Sequence, residues 1–108
     1  MSILNMETFG ETIRRLRENN DMPLRKLAAL LDIDQSTLSK IERNERNANP
    51  ELIDKLSKKF KVDKKQLHIS YYSDKVAYDL ITKEDHEKIL IAAEEKIKYM
   101  KSKGTLRK

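Results

Sequence analysis

Five polar side chains between residues 35 and 43 have the types and the spacing needed to hydrogen-bond a second molecule. They are Gln35, Ser36, Ser39, Lys40 and Arg43. On a helix of about 3.6 residues per turn these positions share one arc, while Leu38 and Ile41 fall on the opposite side. All five can donate hydrogen bonds and none is acidic, which suits a partner rich in acceptors. The arc predicts recognition rather than catalysis; the alternative interpretation is an ordinary solvated helix face.

Residues that could catalyse a reaction or hold a metal are few. Cysteine is absent, and His68 and His86 are the two histidines. Where a zinc-binding helix would place a second histidine after His86, the chain has Leu90. With two glycines in all, the chain has no glycine-rich phosphate loop. We therefore expect no enzymatic activity, no metal, no cofactor and no small-molecule ligand.

The composition indicates the class of fold that carries the arc. Of the 108 residues, 38% are apolar and 38% are charged, with only two glycines and two prolines. These values favour one small all-α domain with an appendage. The net charge of +5 favours a polyanionic partner, most simply nucleic acid, although an ordinary basic protein fits as well.

The same sequence argues against a membrane or secreted protein. No apolar run approaches the ~20 residues that a membrane span needs. The N-terminal residues MSILNMETFGE lack the basic region of a signal peptide. The absence of cysteine fits a reducing compartment. We expect a cytoplasmic protein without a membrane partner.

Apolar residues at helical spacing predict helices over residues 7–19, 23–31, 35–43, 50–60, 64–81 and 83–101. Asp34, Asp63 and Thr82 have side chains that suit the N-caps of the third, fifth and last of these. Pro23 and Pro50 fit first turns, where the missing N–H costs nothing.

The second and third helices meet at a corner that contains no glycine. Helices often end in one residue with left-handed backbone geometry, which Asp and Asn tolerate better than most other residues. Asp32 and Asn44 are therefore predicted to end the second and third helices in this way. The product is a helix-turn-helix, whose second helix lies in the DNA major groove. There Gln pairs well with adenine, and Lys or Arg with guanine.

Residues 9–69 resemble the lambda-repressor-like, Cro/cI-type helix-turn-helix domain. The matching stretch is LRKLAALLDIDQSTLSKIERNERNANPELIDKL. The resemblance implies an all-α domain of five helices that binds double-stranded DNA. Family members usually carry glycine where this chain has Asp32 and Asn44. They often carry a Ser/Thr–Gln pair where it has Pro23 and Leu24, so the resemblance does not imply that side-chain contact to phosphate here, although the backbone N–H groups at that position remain.

The resemblance also implies roles for individual residues. Gln35, Ser36 and Lys40 match residues that contact bases, and we add Ser39 because it shares their arc. Positions matching the phosphate-contacting edge are Thr37, Arg43, Arg46 and Asn47. Arg17 and Glu42 match a charged pair that ties the first helix to the third; two unrelated surface charges are the alternative.

We expect a DNA-binding domain over residues 1–69 and a helical extension over residues 70–108 that dimerises and ends in a basic tail. The extension continues the apolar spacing beyond a domain that already closes its own core. The predicted dimer interface comprises Tyr72, Val76, Leu80, Ile89, Leu90, Ala93 and Ile97. The basic tail is interpreted as solvated, with DNA contact as the alternative.

Three functions compete. The first is a homodimeric transcription regulator on a palindromic operator. The segment from Asn49 to Lys101 resembles controller proteins of restriction–modification systems, which would make those genes its targets. The second is an antitoxin-type repressor whose C-terminal helix binds a partner protein. The third is an adaptor that has lost DNA binding, which the donor-rich arc disfavours.

Overall fold

A computed structural model describes residues 6–104, and these residues form six α-helices and no β-strand. The helices are α1 (Phe9–Asn19), α2 (Leu24–Leu31), α3 (Gln35–Glu42), α4 (Glu51–Phe60), α5 (Lys64–Leu80) and α6 (His86–Ser102). The all-α class is confirmed. The last part of the predicted basic tail, residues 105–108, lies outside the described residues. None of the six helices is long and apolar enough to cross a membrane.

The chain divides into two compact units, Met1–Val76 and Ala77–Lys108. The core of the first unit draws on each of the first five helices. Its central side chains include Ile13, Leu27, Leu38, Leu56 and Leu67. Tyr71 is also buried there, and its hydroxyl donates to the carbonyl of Ala48 at 2.9 Å. The first unit therefore extends beyond residue 69, where the sequence places the domain boundary.

The corner between α2 and α3 is turned by Asp32, as predicted, with φ 60° and ψ 43°. The Asp32 N–H donates to the Ala29 carbonyl, and the Ile33 N–H reaches back to the Ala28 carbonyl at 3.0 Å. These bonds occupy carbonyls that the end of α2 would otherwise leave unsatisfied. Lys55 of α4 adds a third bond, from Nζ to the Leu31 carbonyl at 3.1 Å.

Three other residues turn the chain in the same left-handed way. Asn44 after α3 has φ 63°, which confirms the prediction. Asp21 after α1 and Lys61 after α4 have φ 50° and 54°. In the described chain, then, every positive-φ turn between helices α1 and α5 is made without glycine.

The second unit contains the end of α5 and the whole of α6. The prediction that Thr82 caps the last helix is wrong, because α6 begins only at His86, after Asp85. The Lys83 N–H instead donates to the Leu80 carbonyl at 2.9 Å, which continues the turn that ends α5. None of the α6 residues is buried in the single chain.

Candidate nucleic-acid interface

Helix α3 is fixed in the first unit by its apolar side. Leu38 and Ile41 are 0% and 4% exposed and lie in the core. Asp34 stands at the N-cap as predicted, but its carboxylate does not bond a backbone N–H. It accepts a hydrogen bond from the Thr37 hydroxyl at 2.8 Å. The burial of one side of α3 leaves the opposite arc facing outward.

That outward arc carries the predicted base-contacting residues. Gln35, Ser36 and Lys40 are exposed, and Ser39 is half-buried beside them. Among residues 6–104, no hydrogen bond or ion pair occupies these four side chains. Their donors are therefore available to a second molecule, and no carboxylate within the arc competes for them.

The predicted phosphate-contacting residues are in less uniform surroundings. Arg46 and Asn47 are exposed. Arg43 bonds the Ser39 carbonyl at 3.3 Å and Glu45 at 3.4 Å, in an exposed pair of the kind that contributes little to stability. Thr37 donates its one hydroxyl proton to Asp34. Of the four, Thr37 is the side chain that must give up an internal bond before it can donate to a phosphate.

Arg17 and Glu42 form a bidentate ion pair between α1 and the last residue of α3. Arg17 Nε lies 2.8 Å from Glu42 Oε2, and Arg17 Nη2 lies 3.0 Å from Oε1. The two side chains are 15% and 5% exposed. Arg17 Nη1 also donates to the Met22 carbonyl at 3.1 Å. The hydrogen bond to Glu42 raises the pKa of Arg17, so the guanidinium stays charged and fixes the end of α3.

The start of α1 holds the same end of α3, through Thr8 and Gly10, to which the sequence pattern assigned no role. A Cβ on Gly10 would overlap the carbonyl oxygen of Ile41, so the two helices cross here at a distance only glycine permits. Beside it, the Thr8 hydroxyl donates to Asn44 Oδ1 at 2.7 Å. An isolated glycine in a helical pattern is a signal for such an approach.

Asp74 of α5 completes this corner. Its Oδ2 accepts a hydrogen bond from the Phe9 N–H at 2.8 Å, while Thr8 and Glu11 form a capping box in which each side chain accepts from the backbone N–H of the other. Burial raises the pKa of the Asp74 carboxyl, against the effect of the Phe9 bond. No sequence signal points to Asp74, because its partner lies far away along the chain.

Comparison with known proteins agrees with this geometry. The family model described as helix-turn-helix matches residues 13–67, about half of the chain. The chain belongs to the Cro/cI-type helix-turn-helix family. No curated protein and no solved structure matches it.

Membership makes this helix-turn-helix protein a DNA-binding transcription regulator with a lambda-repressor-like fold. The matched residues include both helices of the motif and the corner at Asp32. They end at Leu67, before Tyr71 and Asp74, so the family model covers only the first turn of α5 and none of α6.

Proposed function

We propose that the chain is a homodimeric regulator that binds a palindromic operator, with α3 of each copy in the major groove of one half-site. The observation that carries this proposal is the outward arc of α3. Four of its side chains, Gln35, Ser36, Ser39 and Lys40, have no internal partner within residues 6–104, and the C-terminal end of the helix is held by the Arg17–Glu42 and Thr8–Asn44 contacts. A helix of this length and polarity is what the major groove accepts.

Within this proposal Gln35, Ser36, Ser39 and Lys40 contact base edges. Gln35 suits adenine and Lys40 suits guanine, and each well-placed side chain contributes about 1–3 kcal/mol of discrimination. The backbone-contacting set is Arg43, Arg46, Asn47 and, after release from Asp34, Thr37. Pro23 has no side-chain donor at the start of α2, so the exposed Arg25 and Lys26 supply the positive charge there.

Dimerisation through residues 70–108 is supported by apolar side chains that the single chain leaves uncovered. Tyr72 and Val76 on α5 are 43% and 47% exposed. No residue of α6 is buried in the single chain, and isolated helices of its length are marginal in water, so a second surface would stabilise it. Of the seven predicted interface residues, Leu80 is already buried in the single chain and is the weakest candidate.

The resemblance of the segment from Asn49 to Lys101 to restriction–modification controllers supplies a candidate target. The operator would then lie upstream of restriction–modification genes and of the regulator's own gene. Binding of the full chain to those promoter fragments, against unrelated promoters of equal length, tests this assignment.

An antitoxin-type repressor is the second candidate, and the exposed apolar side chains of α6 are the observation that favours it. A toxin could cover Leu90 and Ile97 in place of a second copy. The two functions differ in the free protein: an antitoxin of this kind leaves α6 available, whereas the homodimer buries it.

Selection of bound sequences from a random pool of duplex DNA, with the full chain as bait, tests the proposed function. We expect an inverted repeat whose half-site centres lie about 10 base pairs apart. The double variant Gln35→Ala/Lys40→Ala serves as the control and should lose the enrichment. If no sequence is enriched, base reading is contradicted. Sedimentation that shows a monomer both free and on DNA would contradict the dimer.

A further inference from the structure

One side of α6 has the pattern of a helix that packs against another helix. One histidine and four apolar residues recur along it with alternating steps of four and three positions, which keeps them on one seam. The seam comprises His86, Leu90, Ala93, Ile97 and Met100. Leu90 and Ile97 are 44% and 52% exposed, so the seam is open in the single chain.

The charges of α6 and its leading turn are divided along the helix. Residues 84–95 contain five acids and one lysine, whereas residues 96–103 contain four lysines and no acid. None of these charged side chains belongs to an ion pair with any residue from 6 to 104. The segment 84–103 therefore begins with an acidic part and ends with a basic part, each without an ionic partner in the described chain.

We propose that α6 packs along its seam against α6 of a second copy, with the two helices antiparallel. The proposal rests on the homodimer above and specifies its geometry. Antiparallel packing places the acidic part of each segment 84–103 beside the basic part of the other. Two identical helices with divided charge thus complement each other, which identifies a second copy as the occupant of this surface.

The flanks of the seam distinguish the two possible orientations. Glu87 and Lys101 lie on one flank, and Lys96 lies on the other. In the antiparallel pair Glu87 of each copy lies beside Lys101 of the other, giving two attractive contacts. This pair also has two repulsive contacts, because Glu94 lies beside Glu94 of the other copy and Lys96 lies beside Lys96 of the other copy. A parallel pair instead sets Lys96 beside Lys101 twice, with no attractive flank contact to offset the repulsion.

Glu87 and Lys101 of the same helix are too far apart to interact with each other. Glu87 and Lys101 are 14 positions apart, which corresponds to about 21 Å at 1.5 Å per residue. That separation exceeds the screening length of about 8–10 Å near physiological salt. Any energetic coupling between these two positions must therefore act between copies.

Charge exchange in the full chain tests the proposal, with the dimer dissociation constant measured by sedimentation equilibrium at low salt. Glu87→Lys and Lys101→Glu should each weaken the dimer by roughly tenfold, because two attractive contacts become repulsive. The double variant should return to within about twofold of the parent chain, since its exchanged charges attract again. Glu95→Lys makes the same charge change on the opposite side of α6 and should have little effect.

Disulfide trapping gives an independent result, because the chain has no cysteine of its own. A mixture of Leu90→Cys and Met100→Cys chains should form a cross-linked heterodimer on oxidation, whereas Leu90→Cys alone should not cross-link to itself. Two results would overturn the antiparallel pair while leaving the homodimer intact. One is self-cross-linking of Leu90→Cys. The other is a Glu87→Lys/Lys101→Glu dimer weakened by the sum of the two single effects. A parent chain that stays monomeric would overturn both proposals.

Discussion

The Phe9 N–H donates to Asp74 Oδ2 at 2.8 Å, so a residue of α5 caps the first helix of the DNA-binding domain. Phe9 is 3% exposed, and water has little access to replace this bond. The same corner contains the Thr8–Asn44 bond and the close approach of Gly10 to Ile41. Through this corner α5 supports the C-terminal end of the helix proposed to read DNA.

Replacing Asp74 should separate the effect of the hydrogen bond from that of the charge. Asp74→Ala leaves a buried N–H unsatisfied and should cost about 1–3 kcal/mol of unfolding free energy. Asp74→Asn retains an acceptor and should cost less than Asp74→Ala. Urea unfolding at neutral pH measures both, and equal losses would show that the carboxylate charge is what matters.

The difference in stability between the parent chain and Asp74→Asn should depend on pH, and the direction in which the Asp74 pKa is shifted gives its sign. Because burial raises the pKa of Asp74, the folded state binds its proton more readily than the unfolded state. The contribution of Asp74 to stability is complete below its unfolded pKa and is lost as pH rises through its folded pKa. The stability of the parent chain relative to Asp74→Asn should therefore increase on acidification through that window; a decrease there would contradict the account.

Gly10→Ala should destabilise the fold although alanine favours helices. Helix propensity alone predicts a gain of about 1 kcal/mol. The added Cβ overlaps the Ile41 carbonyl oxygen, which is backbone and cannot move aside cheaply, so a net loss of about 1–3 kcal/mol or more is expected. Thermal unfolding decides between the two signs, and a raised melting temperature would refute the close approach.

Separating Arg17 from Glu42 should affect stability more than base choice. Their low exposure places the pair among buried ion pairs, where loss of one member costs roughly 3–5 kcal/mol. A double-mutant cycle should give a coupling of about 1–3 kcal/mol. The exposed Arg14–Glu18 pair is the matched control, with an expected coupling below about 0.5 kcal/mol. Zero coupling between Arg17 and Glu42 would reject the structural role.

Lys61→Gly should stabilise the protein by about 1 kcal/mol, because a lysine in left-handed geometry carries a steric cost that glycine avoids. Lys59→Gly removes the same charge from the last turn of α4, where the backbone is helical, and should cost about 1 kcal/mol. If both variants lose stability equally, the turn at Lys61 is not strained.

The sequence predicted the features that depend on local chemistry. Asp32 and Asn44 could be placed in left-handed turns because their side chains tolerate that geometry, whereas Lys61 has no such preference and was not foreseen. Thr82 suited a cap by type, yet the Lys83–Leu80 bond continues the turn after α5 and delays α6. A good capping residue does not by itself start a helix.

Features that depend on contacts between residues far apart in the sequence could not be predicted from its local pattern. The periodic stripe predicted beyond Ile69 contains neither Tyr71, which turns into the core, nor Asp74, which caps α1. Arg17 and Glu42 were paired by family resemblance alone, since 24 residues separate them. The outward arc of α3 followed directly from periodicity, because one side of a helix that buries Leu38 and Ile41 must leave the other exposed.

The claim that α3 reads DNA sequence is tested most directly by comparing affinities for the selected operator and for a scrambled duplex at one salt concentration. Gln35→Ala and Lys40→Ala should each lose about 1–3 kcal/mol on the operator and much less on the scrambled duplex. Arg46→Ala should weaken both alike, and Lys59→Ala, an equal charge loss on α4, should change neither appreciably. Equal losses on both duplexes for Gln35→Ala and Lys40→Ala would contradict the account.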